Sequence, residues 1–204
     1  MEKFVSHTGV AAPYPRPNVD TDVIIRIEKL ITLGRTELGD DCFAAVRYRP
    51  DGSEDPDFVL NQAPFRGASI LLAGRNFGCG SSREGAVWAL QCIGIRCVVA
   101  PSFGGIFYNN CFQNGVLPIV LDEATLEALM RCADGGRFTV DLEACTVTTP
   151  DGNRSGFKVP PLRRRQLLQG LDAIGVTKLR DDEIFAFQAR DREARPWAWP
   201  PAQT

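Results

Sequence analysis

Three short apolar runs separated by helix-sized segments constrain this chain more than any other feature. ASILLAG (68–74), RCVVA (96–100) and VLPIVL (116–121) each have the length of a buried strand. Between the first two stand a glycine-rich loop and a helix predicted from about Ser82 to Ile93, with Ala86, Ala89, Leu90 and Ile93 on its apolar face. Gly94 lies where a helix C-terminus favours a residue free to take positive φ. PSFGGIFYNNCFQNG then predicts a short helix and a turn before the third run. This β–α–β–α–β order implies an α/β core with at least some parallel pairing.

The flanks read less regularly. KFVSHTGVAA (3–12) predicts an opening strand, followed by PYPRPNVDTD, a turn-rich loop with three prolines. VIIRIEKLI (23–31) is apolar, then charged, with ambiguous periodicity, and 34–57 reads mostly as loop interrupted by CFAAVRY. Asp122 predicts the cap of a helix, ATLEALMRCA, that stops at Gly135–Gly136. RFTVDL, CTVTT and, after a PDGN turn, GFKV predict an antiparallel section. LRRRQLLQGLDAIG and DDEIFAFQARD predict two closing helices, with Arg163, Arg164 and Arg165 on a solvated face. Neither repeat nor linker is visible, so 1–204 reads as one domain with a Pro/Trp-rich tail at about 195–204, frayed or docked through Trp197 and Trp199.

Bulk numbers narrow the function. A formal net charge of −2 gives no basic face of the kind that binds nucleic acid. No run approaches the roughly 20 apolar residues of a membrane span. MEKFVSHTGV resembles neither a signal nor a transit peptide, so a cytoplasmic chain with reduced thiols is expected. The seven cysteines show no CxxC spacing, which argues against a metal or iron–sulfur site of the chain's own. The single histidine, His7, falls in the opening strand and reads as structural.

The loop GCGSSRE (78–84) supports two compatible readings. Ser81 to Glu84 matches the S-x-x-E capping box, with Ser81 as N-cap and Glu84 at the third helical position, a device that stabilises a helix by about 1 kcal/mol. The cap leaves Gly78, Gly80 and Arg83 unexplained. Glycines let the backbone approach a ligand, a helix N-terminus presents free amides to an anion, and an arginine one turn in adds a two-pronged donor for carboxylate or phosphate. A nucleotide fits poorly, because the pattern is neither G-x-G-x-x-G nor a P-loop. Cys79, at the same loop, reads either as a thiol activated by the helix N-terminus or simply as a small residue between two glycines.

ASILLAGRNFGCGSSRE together with APSFGGIFYNNCFQNG resembles the small-subunit family of 3-isopropylmalate dehydratase (isopropylmalate isomerase). PNVDTDVII (17–25), PDFVLNQ and LQGLDAIGVT (168–177) carry the likeness over nearly the whole chain. The wider relative is the swivelling domain of aconitase. The resemblance implies a swivelling β/β/α fold and assembly with a large subunit that carries a [4Fe–4S] cluster on its own cysteines. The implied reaction dehydrates a 2-alkylmalate, a small dicarboxylate, and rehydrates it with the hydroxyl moved to the neighbouring carbon; the cluster iron acts as Lewis acid on the departing hydroxyl. Ser81 matches the catalytic base, Ser82 its hydrogen-bonding neighbour, Arg83 the carboxylate-binding arginine and Asp22 an acidic residue facing the active site. Without the resemblance, Asp20 and Asp22 read equally well as turn or cap residues.

Two positions depart from the family pattern. Gly85 stands where a histidine is usual, and is expected to open volume beside the site at a cost to the helix of roughly 0.5–1 kcal/mol. Arg26 stands where proline is usual, and adds either a further contact to the substrate or a surface charge. These changes leave open a dehydratase for another 2-alkylmalate, such as methylmalate/citraconate or dimethylmalate. A subunit-binding module without activity is the alternative from a different class.

Overall fold

The computed structural model describes residues 1–80 and 83–200. Four of its strands are parallel: β1 (Ser6–Tyr14), β2 (Ile70–Ala73), β3 (Cys97–Ala100) and β4 (Leu117–Val120). Three more, β5 (Arg137–Asp141), β6 (Thr146–Thr148) and β7 (Arg154–Gly156), are antiparallel. They share one mixed sheet in the order β4-β3-β2-β1-β5-β6-β7. β1 joins the two halves: its first part, Ser6 to Val10, pairs with β5, and its second, Ala11 to Tyr14, pairs with β2.

Strands β2, β3 and β4 are apolar at every position because they lie between two packed faces. Ala12, Leu71, Ala73, Val98 and Ala100 face one core with Phe43, Phe77 and Leu90; Ala11, Ile70, Leu72, Cys97 and Val99 face a second with Phe4, Leu126 and Phe138. Helices that fill these faces are α4 (Gly85–Cys92), α5 (Gly105–Asn114) and α6 (Glu123–Arg131). α6 starts as expected, with the Asp122 carboxylate accepting from the Thr125 N–H at 2.9 Å.

The ambiguous 23–31 stretch resolves into short helices, α1 (Thr21–Ile24) and α2 (Ile27–Thr32), split by extended backbone at Ile25 and Arg26; CFAAVRY contains α3 (Ala44–Arg47). Three expectations are corrected. The last strand is Arg154–Gly156, just ahead of the predicted GFKV, because that is the segment whose backbone pairs with β6. The predicted first closing helix is two, α7 (Pro161–Gln169) and α8 (Ala173–Lys178), interrupted by Gly170 at φ +70°. The arginine run is only partly solvated: Arg163 lies over the Phe112 ring and Arg164 donates to the carbonyls of Leu142 and Glu143.

The last helix, α9 (Asp181–Ala194), has no buried residue and exposes Phe185 and Phe187. In the tail, Trp199 docks on α9 by donating to Asp191 at 3.0 Å and stacking under Arg192, whereas Trp197 is exposed. Residues 201–204 of the tail lie outside the described residues. His7 is a structural residue, its Nε2 2.7 Å from the Ser69 hydroxyl across the β1–β2 seam. Among the described residues, no helix is long and apolar enough to cross a membrane.

Candidate active site

In open α/β sheets, ligands bind beyond the carboxyl ends of the strands, where successive loops meet. Here the loops after β1, β2 and β3 are stitched together as if the sheet continued. Gly78 N–H donates to the Val19 carbonyl at 2.8 Å, and Thr21 N–H to the Cys79 carbonyl at 2.8 Å. On the other side Phe77 N–H donates to the Ser102 carbonyl at 3.1 Å, and Gly104 N–H to the Phe77 carbonyl at 2.9 Å. Asn76 adds side-chain ties, donating from Nδ2 to Asn18 at 2.9 Å and from its backbone to the Ser102 hydroxyl at 2.8 Å.

Two glycines are required by this close approach. A Cβ on Gly104 would stand 2.4 Å from the Gly78 carbonyl oxygen. Gly80 sits at φ +90°, and a Cβ there would fall 2.0 Å from the Asp20 carboxylate. Gly78, at φ +70°, has no room for a side chain either, because a Cβ would lie 2.2 Å from the Phe107 ring of α5, so both glycines flanking Cys79 serve close packing, whatever else they permit.

The two aspartates of the DTD stretch divide the roles that the sequence leaves undecided. Asp20 is the cap of α1: its Oδ1 accepts from the Asp22 N–H at 2.7 Å. Asp22, in the first turn, reaches across to the β2 loop, where Arg83 Nη1 donates to its Oδ1 at 3.2 Å. The pair is half exposed, so it adds little to stability, about 0–1 kcal/mol. It fixes the direction of a guanidinium instead. Two residues 61 positions apart in the chain therefore meet where the resemblance expects a carboxylate site.

Arg26 takes a different course. It stands ahead of α2, two-thirds exposed, with its ion pair to Glu28 at 3.9 Å rather than to the Asp22–Arg83 pair. Ser81 and Ser82 lie outside the described residues. Of the proposed capping box only Glu84 is described; it precedes α4 at the cap position with helical backbone angles, since the regular helix starts at Gly85.

α4 is held firmly behind the site. Its Trp88 donates to the Asn114 side-chain carbonyl at 3.0 Å, Arg35 donates to the same oxygen at 2.7 Å, and Gln91 donates to the Asn114 backbone carbonyl at 2.6 Å. Buried Asn114 therefore locks α4 to the end of α5. Burial pushes the Cys79 thiol up, and the nearby Asp20 carboxylate adds to the shift, which favours the small-residue reading over an activated thiolate.

The expectation that Gly85 opens volume is corrected. Gly85 is buried, and the Leu30 side chain from α2 occupies the place a side chain would take: a Cβ would lie 2.4 Å and 2.5 Å from the two Leu30 δ-carbons. Sequence reasoning missed Leu30, the stitching asparagines and Asn114. The only signal for Leu30 was the glycine itself, because a missing side chain in a buried first turn implies that something else fills the space.

A family model for the aconitase C-terminal domain matches residues 1–124, and the LeuD_N model matches residues 127–161. The 3-isopropylmalate dehydratase small subunit of Rhodospirillum centenum is 55% identical over 201 residues, covering 97% of this chain and 99% of the relative. That of Paracoccus denitrificans is 52% identical over 200 residues, with 97% and 100% covered. A crystal structure of 3-isopropylmalate dehydratase from Methanocaldococcus jannaschii superposes with a TM-score of 0.66 at 28% identity, covering 92% of this chain and 99% of that one. The fold expectation is thereby borne out. By sequence over its whole length and by fold, the chain belongs to the 3-isopropylmalate dehydratase small-subunit family, within the wider group that shares the aconitase C-terminal domain.

Proposed function

We propose that this chain is the small subunit of a hydro-lyase that interconverts 2-isopropylmalate and 3-isopropylmalate by dehydration and rehydration, in leucine biosynthesis and in the cytoplasm. The observation that carries the reading is the Arg83–Asp22 pair, formed between two loops at the carboxyl edge of the parallel strands. Family membership over the whole chain supports it.

In this reading Arg83 receives one carboxylate of the substrate, since a guanidinium matches a carboxylate in two parallel bonds. Asp22 keeps the guanidinium plane in place between turnovers. Ser81 is the residue we assign as base, taking the proton from the carbon beside a carboxylate, with Ser82 as hydrogen-bonding neighbour. A serine alkoxide needs a positive field, which Arg83 and the first amides of α4 would supply.

The iron–sulfur cluster is assigned to the large subunit, as family membership implies, and the buried thiols of this chain are poor ligands for one. Cys42, Cys97 and Cys111 are buried in the cores, where desolvation pushes their thiols up, away from the thiolate that ligation needs. Among the described residues no three metal-binding side chains come together. Phe185, Phe187 and Trp197 near the C-terminus are exposed and so are available to an assembly partner.

The test is turnover of the anaerobically assembled enzyme on isopropylmalate, methylmalate/citraconate and dimethylmalate. The reading expects the highest kcat/KM with isopropylmalate. A preference for a smaller diacid would overturn the substrate assignment, and no turnover on any of them would favour a binding module.

A further inference from the structure

The segment that carries Asp22 and Arg26 is fastened to the loop and helix that carry Arg83 by a series of clasps. Val19 and Thr21 are bonded to Gly78 and Cys79, Asp22 is paired with Arg83, and the last clasp is Leu30 on Gly85. That last contact differs from the others. α2 has no buried residue, and its Ile27 and Ile31 are exposed. Leu30 is the α2 side chain that packs against the core shared with Ala86 and Leu90, and it does so over the one α4 residue that lacks a side chain. Both δ-carbons, at 2.4 and 2.5 Å, and the γ-carbon, at 3.0 Å, stand where a Cβ on Gly85 would be. A side chain at 85 therefore requires the end of Leu30 to move out of this seat.

We propose that Leu30 is a positioning residue for the dehydratase reaction: seated on Gly85, it holds α2 down and so sets how the 20–33 segment meets Arg83. The role depends on the function proposed above, but the clasp itself does not. Leu30 acts through Asp22 and the guanidinium it orients, so loosening it disturbs substrate binding before it disturbs the proton transfer assigned to Ser81. The pair is specific to a glycine at 85, since any larger residue there must displace Leu30.

The experiment compares Gly85→Ala, Leu30→Ala and the double variant in the assembled enzyme with isopropylmalate. Each single change is expected to raise KM by about tenfold while kcat changes little, as expected when a binding group moves by a fraction of an ångström to an ångström. The double variant, in which two alanine methyls share the seat, is expected to return KM below that of either single variant. Unchanged KM in either single variant, or effects that simply multiply in the double variant, would overturn the proposal. A second readout needs no turnover: trypsin cleavage after Arg26 and Lys29 in the full chain, followed by mass spectrometry. It should be faster in both single variants than in the unaltered chain and slower again in the double variant. Equal rates would refute the clasp. Loss of turnover in the unaltered enzyme, with the cleavage pattern as expected, would instead refute the function.

Discussion

Replacing Arg83 by lysine separates the stability of the site from its chemistry. The Arg83–Asp22 contact is 3.2 Å long, but the two side chains are 38% and 58% exposed. Water competes with such a pair, so its loss should cost folding about 0–1 kcal/mol. Lysine can still reach Asp22 with one ammonium donor, which lowers the cost further. Binding a substrate carboxylate is a different demand, because a fork of two parallel donors is replaced by a point charge. One lost charged hydrogen bond corresponds to about 1.5–3 kcal/mol. At roughly 1.4 kcal/mol per decade, kcat/KM for isopropylmalate should fall about 10- to 150-fold. The assay pairs anaerobic turnover of the assembled enzyme with the urea midpoint of the isolated chain. A kcat/KM within twofold of the unaltered enzyme would refute the carboxylate role. A large fall in the urea midpoint accompanying the loss of activity would refute the claim that the pair is not structural.

Other outcomes follow from the same structure. Gly104→Ala drives a methyl to 2.4 Å from a backbone oxygen that cannot turn away, so urea unfolding should show a loss of about 2 kcal/mol. Gly105→Ala, one residue on, meets no atom within 4 Å and begins α5, so it should raise stability by roughly 0.5–1 kcal/mol; the opposite ranking would refute the loop-stacking argument. Burial, helped by the positive charges of Arg96 and Arg137, holds the His7 ring below the ordinary histidine value of 6.5. Between 6.5 and the lower folded midpoint the unfolded chain binds the proton and the folded chain does not, so stability should fall as pH drops through that window. An NMR titration of this sole histidine should show a midpoint under 6.5, and His7→Gln should flatten the pH dependence of stability; a midpoint at or above 6.5 would contradict the burial.

The amino-acid sequence alone determined the parallel core, because strands covered on both faces must be apolar throughout, and ILLA, CVVA and the run ending at Leu121 announce themselves. It also determined the α6 cap and the helix stop at Gly94, since these depend on bonds and backbone angles within a few residues. The GSSRE loop, the DTD stretch and the resemblance they carry point to Arg83 and Asp22 from the sequence. Local patterns blurred where hydrophobic spacing was weak, as in 23–31, and where pairing decides the boundary, as at β7. Only the tertiary structure decided which aspartate of DTD caps and which pairs, because that depends on a loop 61 residues away. Likewise, no spacing rule links Leu30 to Gly85 or Trp88 to Asn114. Such contacts are set by how packed elements share volume and satisfy buried polar groups, and those are properties of the assembled fold rather than of any stretch of chain.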